Sequence, residues 1–499
     1  MARAIMVQGT ASNAGKSLIT AALCRIFRQD GYRVAPFKSQ NMALNSFITP
    51  DGFEIGRAQA VQAEAAKVAP DVRMNPILMK PTSDTGSQVI VNGKPFRDMP
   101  AWDYYERKTR LRPYVEQAYN SLAEDYDIIV IEGAGSPAEI NLSQDDFVNM
   151  GMAKIARAPV LLVGDIDKGG VFASLYGTCA IIQPDERDLI KGLIINKFRG
   201  DLEILRPGLK MIEDLCAKPV LGVIPFGRFD IEDEDSVSAR VEFAATRQGA
   251  IDIAVVRLPR ISNFTDFNPL ERIPGVTVRY VLDAKHLGSP DLLIIPGSKN
   301  TMADLSVIRQ NGLEAAIKHY ASNSGLVLGI CGGYQMLGAT ISDPDGVEAG
   351  GEMRGMELLP IDTVFRGEKT TVQVTGAFER VSGAFAPLSD TRFEGYEIHM
   401  GESATASPPL TTVRRGDTRV ADGAFADNVA GTYVHGLFDS AEVAAALAQM
   451  LADRRGITLE NFTAIDSREY KETQYDLLAA SVRESLDMDA VYRILERGV

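Results

Sequence analysis

Short apolar runs alternate with longer stretches of helical spacing along most of the chain. Runs at 4–8, 33–37, 128–132, 160–165 and 193–196 are each followed by a turn and a segment with helical periodicity. This is the pattern of βα units around a parallel sheet. After Lys16 the spacing sets Leu18, Ala21, Ala22, Ile26 and Phe27 on one face of a helix. The stretch DIEDEDS (230–236) is acidic and turn-prone and predicts a linker. A second alternating series starts at 251–256 and continues through 292–296 and 326–330. β-rich runs follow at 372–374, 396–399 and 431–435, and beyond 440 the spacing of Val443, Ala446, Leu447 and Leu451 is helical. The expected architecture is α/β, with two doubly wound domains at 1–235 and 251–445. A linker at 236–250 joins them, and a helical tail spans 446–499.

Composition narrows the class. The chain has 499 residues, 45% hydrophobic and 24% charged, as in a soluble globular protein with two to four domains. Its 52 basic and 66 acidic residues leave a net charge of −14, which argues against coating nucleic acid. The N-terminus lacks the basic, apolar and small-residue succession of a signal peptide, and no apolar run is long enough for a membrane span. Cys24, Cys179, Cys216 and Cys331 are scattered without a CxxC pair. Free thiols and a cytoplasmic location are therefore expected.

Residues 9–17 read GTASNAGKS between a strand and an amphipathic helix. Glycines let backbone N–H groups surround phosphate, a lysine meets its charge and a hydroxyl reaches Mg²⁺. Gly15, Lys16 and Ser17 fill these places, and five residues rather than four separate Gly9 from Gly15. In strict register the first glycine position falls on Thr10. Glu132 ends the strand in IIVIEGAGS, where a carboxylate can reach Mg²⁺ on a nucleotide; the alternative is a solvated strand-end acid. Lys38 ends the second strand, either offsetting phosphoryl charge or standing on the surface. Asn196, in LIINKFR, either contacts the nucleotide base or simply ends its strand.

Residues 326–338 read LVLGICGGYQMLG. Cys331 follows a strand, is flanked by glycines and leads into a helix, which is the geometry of a nucleophile elbow. A helix N-terminus favours the thiolate. The other three cysteines sit in apolar surroundings and read as core residues. A thiolate nucleophile wants a histidine base. Of His286, His319, His399 and His435, the last ends the β-like run GTYVHGLF and is the candidate, whereas His399 reads as structural. No orienting third residue is evident. Gly297, in IIPGSKNT, follows a strand and can lend an N–H to an oxyanion hole.

The two motifs together resemble a glutamine-dependent amidoligase. The half around Cys331 resembles class I glutamine amidotransferases, with their G-x-C-G-G signature, and the half around Lys16 resembles dethiobiotin synthetase, with its lengthened phosphate loop and EGAG-like strand end. This fusion resembles the cobyrinic acid amidases. PFKSQNMALNS (36–46), MNPILMKP (74–81), SQVIVNGK (87–94), EGAGSPAEINL (132–142), PGSKNT (296–301), GYEIHMG (395–401) and GTYVHGLFD (431–439) carry the likeness over nearly the whole chain.

The resemblance implies that Cys331 and His435 free ammonia from glutamine. It further implies that ATP and Mg²⁺, held by Lys16, Ser17 and Glu132, activate a corrinoid carboxylate as an acyl phosphate. The stretches quoted resemble most the family member that amidates the b, d, e and g carboxylates of adenosylcobyrinic acid a,c-diamide. The alternative is its sister, which makes the a,c-diamide. The wider class carries a Glu two residues after the histidine, where this chain has Leu437, and an Asp is expected at the place of Asn268 in FTDFNPL. A partition-type switch ATPase is the different-class alternative; its signature lysine would stand at Ala11. No nucleic-acid or membrane partner is expected, and a homo-oligomer is left open.

Overall fold

The computed structural model describes residues 2–82, 86–100, 108–232, 249–458 and 466–499. Most of the expected linker at 236–250 lies outside them. The chain forms two compact units. The first comprises 1–42, 54–231 and 471–499, and the second 43–53 and 232–470.

The core of the first unit is a six-stranded sheet. Across it the strands run Val220–Pro225, Ile190–Phe198, Val160–Asp165, Arg3–Gly9, Ile128–Glu132 and Val34–Phe37. Every neighbouring pair is parallel. Helices cover both faces of such a sheet, so its strands read as unbroken apolar runs rather than alternating ones. Accordingly Ile5, Met6 and Val7 are all buried, as are Ile128 to Ile131. Helix Lys16–Gln29 buries Ile19, Ala22, Leu23, Ile26 and Phe27, whereas Leu18, expected on the buried face, is exposed. A four-stranded sheet, which periodicity did not announce, is formed by Gln40–Met42, Ile77–Pro81, Gly86–Val91 and Lys94–Pro100.

Chain order and spatial membership part company at the C-terminus. Helix Ala441–Arg455 belongs to the second unit, but helices Ser467–Ser485 and Met488–Arg497 pack on the first. Tyr475, Leu478, Val482, Val491 and Leu495 share a core with Ile19, Leu23 and Phe27. Arg25, only 1% exposed, is held there by Glu472 and Asp476, each at 2.7 Å. A buried guanidinium is tolerable only when so paired. The apolar stripe of the tail was legible, but not its partner, which lies some 450 residues away in the chain.

The second unit carries a sheet ordered Val276–Val281, Ile251–Val256, Leu292–Ile295, Val327–Ile330, Val429–Thr432 and Ala424–Ala426. All pairs are parallel except the last. Beside it lies a mostly antiparallel seven-stranded sheet dominated by the ribbon Ile361–Phe378 and Arg392–Thr405. Val434–His435 pairs with this ribbon through Tyr396. The chain thus leaves the parallel sheet at Thr432 and joins the antiparallel one at Val434.

Candidate functional site

In open parallel sheets the functional groups collect beyond the carboxyl ends of the strands. The first unit follows this rule. Strand Arg3–Gly9 runs into the phosphate loop. Its neighbour places Glu132 at its last position, and the next strand ends one residue before Lys38. Gly15 adopts φ +100°, and a Cβ there would lie 2.0 Å from the Asn196 amide nitrogen. At Gly9 a Cβ would press within 3.1 Å of the Lys16 side chain. Close approach therefore favours glycine at both positions, and at Gly15 backbone freedom demands it as well.

The Lys16 ammonium folds back over the loop, donating to Ala11 O and Gly135 O, each at 3.0 Å. Glu132 gathers the other groups. Ser17 Oγ donates to its Oε1 at 2.8 Å and Lys38 Nζ to the same oxygen at 3.0 Å, while Gln62 Nε2 donates to Oε2 at 2.6 Å. Burial alone would keep Glu132 protonated, but the Lys38 ammonium and these hydrogen bonds hold its carboxyl below the usual carboxylate range. Glu132 is thus an ionised, almost wholly buried carboxylate beside a hydroxyl. Neither bland reading holds: Glu132 is not a solvated acid, and Lys38 is 5% exposed. Asn196 Nδ2 donates to Ala14 O at 2.9 Å and so braces the loop. Thr10 continues the strand, its N–H bonding Val163 O. Gln62, spaced among alanines on helix Arg57–Ala65, carried no sequence signal.

The second unit repeats the logic on two adjacent parallel strands. Ile330 pairs in register with Thr432. Cys331 follows the first directly and His435 stands three residues beyond the second. Cys331 has φ 53° and ψ −110°, a conformation costly for any residue with a Cβ. Its N–H is held by Thr432 O at 2.8 Å. The glycines after it are required by packing. A Cβ on Gly333 would lie 1.9 Å from Ile295 O, and one on Gly332 would lie 2.9 Å from Ser298 N. Gly297 sits in the same layer, where a Cβ would lie 3.1 Å from His435 Cε1. The helix after Cys331 spans only Gly332–Met336, so its dipole is small.

His435 is oriented by a residue that sequence reading did not single out. Its Nδ1 lies 2.6 Å from Asp266 Oδ2, and Asp266 Oδ1 accepts the Gly436 N–H at 3.2 Å. The acid comes from the FTDFNPL stretch, two residues before Asn268 and in the short helical turn Phe264–Phe267, not in the turn Leu437–Asp439 that holds Leu437. The available signal was an isolated acid between Phe264 and Phe267, both buried. Burial pulls the imidazole pKa down, but the Asp266 carboxylate overrides it and, with a smaller contribution from Cys331, pushes it up to about 10. Nε2 has no strict hydrogen-bond partner. His399 shows the opposite balance. Its Nδ1 meets Gly401 O at 2.8 Å, its ring stacks on Tyr433, and burial lowers its pKa to about 4. Burial pushes the Cys24, Cys179 and Cys216 thiols up, as befits core residues. All four cysteines are free. Among the described residues no helix is long and apolar enough to cross a membrane.

Comparison with known proteins divides the chain in the same way. Residues 5–234 match the CobQ/CobB/MinD/ParA nucleotide binding domain, and residues 252–443 match the CobB/CobQ-like glutamine amidotransferase domain. A cobyric acid synthase of Ruminiclostridium cellulolyticum is 58% identical, covering 100% of this chain and 98% of that protein. Those of Lachnoclostridium phytofermentans and Yersinia enterocolitica are 54% and 51% identical, covering 100% and 99% of this chain and 100% and 98% of theirs. With both half-sites and full-length identity in agreement, the chain belongs to the cobyric acid synthase family, the glutamine-dependent amide-forming ligases of cobalamin biosynthesis.

Proposed function

We propose that this chain converts the b, d, e and g carboxylates of adenosylcobyrinic acid a,c-diamide to amides, consuming one ATP and one glutamine for each. The observation that carries this reading is the coexistence in one chain of a strained Cys331 backed by His435–Asp266 and a phosphate loop whose Lys16 and Ser17 accompany an ionised Glu132.

In the second unit the Cys331 sulfur attacks the side-chain amide of glutamine. Backbone N–H groups near Gly297 and Gly332 support the oxyanion. His435, kept cationic by Asp266, supplies the proton to departing ammonia and then activates the water that frees glutamate. Because Cys331 must stay a free thiol, a reducing cytoplasm suits the enzyme. In the first unit ATP phosphorylates a carboxylate of the corrinoid. A carboxylate is a poor electrophile at neutral pH, and the acyl phosphate supplies the leaving group that ammonia displaces. Lys16 and Lys38 offset phosphoryl charge, and Asn196 keeps the loop in shape for it. The oxygen donors Glu132 and Ser17 would hold Mg²⁺, which would supply positive charge against the phosphate.

Purified enzyme given the a,c-diamide, ATP and glutamine should yield products whose masses correspond to stepwise amidation ending at four amides. Preferential amidation of cobyrinic acid at a and c would reassign the chain to the sister activity.

Asp266→Asn tests the histidine arrangement. Without the carboxylate, burial dominates as it does at His399, and the His435 pKa falls well below its value of about 10. The donor form is present below the pKa and lost above it, so the alkaline limb of glutamine hydrolysis should move to lower pH. Hydrolysis at pH 8 should fall about 10²–10⁴-fold, as expected when the carboxylate orienting a catalytic imidazole is neutralised. An unmoved alkaline limb would show that Asp266 does not set the proton affinity of His435.

A further inference from the structure

The first unit holds a buried cation that the scheme above leaves without a task. Lys108 opens the helical turn Lys108–Arg110 and is 6% exposed. Its ammonium lies over the Phe147 ring, 5.2 Å from the centroid. Among the described residues no carboxylate or carbonyl meets it in a hydrogen bond or ion pair. The two acids nearby are turned elsewhere. Asp146 accepts the Val148 N–H on Oδ1 and the Gly151 N–H on Oδ2, each at 2.7 Å, and so folds the turn into helix Met150–Ala156. Asp145 is exposed. An ammonium withdrawn from water without an acceptor is costly, and a ring face returns only part of that cost. Burial accordingly pulls the Lys108 pKa down, against the charges of Asp146 and Asp145. A cation held in this way is built to meet an anion from outside the protein.

Its place in the fold says where that anion belongs. Phe147 is part of the loop that follows Glu132 at the carboxyl end of its strand. Two residues on, Asn149 Oδ1 accepts the Ala134 N–H at 3.2 Å and its Nδ2 donates to Ala134 O at 2.7 Å. The next carbonyl, that of Gly135, accepts the Lys16 ammonium at 3.0 Å. Lys108 is thus fixed, through Phe147 and Asn149, to the same loop that meets the phosphate-loop lysine. The run KTRLR (108–112) adds Arg110 and Arg112, both exposed, and Arg112 is already paired with Glu116 at 2.7 Å. In a chain of net charge −14 this is a local excess of positive charge. A primary ammonium, with three donors and no acceptor, suits a carboxylate. A polycarboxylate that is amidated one group at a time offers such carboxylates besides the one that reacts.

We infer that Lys108 receives a carboxylate of the corrinoid that is not reacting, and so orients the macrocycle while another carboxylate is phosphorylated beside Lys16. The inference rests on the reading of this chain as an enzyme that activates corrinoid carboxylates.

The test measures the first amidation of the a,c-diamide by the full-length enzyme, with ammonium as nitrogen source so that glutamine hydrolysis does not enter. In Lys108→Met the KM for the a,c-diamide should rise about tenfold or more, the scale of losing a hydrogen bond to a charged group, while the KM for ATP stays within about twofold. Lys108→Arg keeps the charge and the donors, so it should hold the KM for the a,c-diamide within about threefold. An unchanged KM for the a,c-diamide in Lys108→Met overturns the inference. So does an equal rise for both substrates, which marks a structural prop, or a rise for ATP alone, which moves the cation to the nucleotide. A loss in Lys108→Arg as large as in Lys108→Met assigns the effect to side-chain shape and overturns it as well. If methionine prevents folding, Lys108→Gln takes its place and should show the same selective rise, with the same results counting against it. Absence of any amidation of the a,c-diamide by the unsubstituted enzyme would instead sink the underlying reading.

Discussion

Replacement of Cys331 by alanine should abolish glutamine-driven amide synthesis while leaving synthesis from free ammonium within about twofold of the unsubstituted enzyme. The expected loss of glutamine hydrolysis is at least about 10⁴-fold, because without the sulfur no covalent intermediate forms and His435 has no partner to assist. The substitution is mild for the fold. Alanine keeps the Cβ, the backbone bond from residue 331 to Thr432 O survives, and the thiol it removes makes a long 3.6 Å contact to Ile398 O. Ammonium-driven synthesis needs only the nucleotide half-reaction, to which Cys331 contributes nothing. Parallel assays with the two nitrogen donors read both effects in one preparation. Loss of ammonium-driven synthesis in a folded variant would contradict the assignment of the two half-reactions to separate units.

Lys16→Ala should do the reverse. Synthesis from either nitrogen source should fall by about 10²–10³-fold or more, the scale of losing a preorganised charge aimed at transferring phosphate. Lys16 is 7% exposed and is tied to two carbonyls of the loop region, Ala11 O and Gly135 O. Its charge is thus held where phosphate oxygens would replace those carbonyls. Lys38 is engaged with Glu132 and Lys197 with Asp165 and Asn13 O. Glutamine hydrolysis measured alone should persist, since Cys331, His435 and Asp266 lie in the other unit. Retained ATP-dependent amidation in Lys16→Ala would refute the phosphate-loop assignment. Because alanine also removes an alkyl stem packed against Gly9, a thermal melt should accompany the assay.

Much of the site was legible because its geometry is local. A glycine-rich turn after an apolar strand constrains the few residues around it, so Gly9, Gly15, Lys16 and Ser17 could be read as one device, and so could Cys331 with its flanking glycines. His435 could be chosen because few histidines exist and this one ends a β-like run. Asp266 and Gln62 escaped for the same physical reason as each other. Each acts on a partner more than sixty residues away, through a contact that neither periodicity nor spacing encodes. Asp266 takes the orienting role that the wider class places at Leu437, and nothing along the chain marks that the role has moved to the turn Phe264–Phe267.

The membership of the segments divides similarly. Apolar periodicity showed that the tail beyond 440 is helical, yet helices Ser467–Ser485 and Met488–Arg497 join the first unit, and residues 43–53, within a stretch that looks continuous with it, join the second. An amphipathic stripe states that a face must be buried but not against what. By itself, then, the sequence determined the α/β architecture and the family, and it singled out the candidate phosphate loop and Cys331. The tertiary structure decided which carboxylate charges His435, which groups keep Glu132 ionised and which core the C-terminal helices complete, because hydrogen bonds and low-dielectric burial act between neighbours in space and not along the chain.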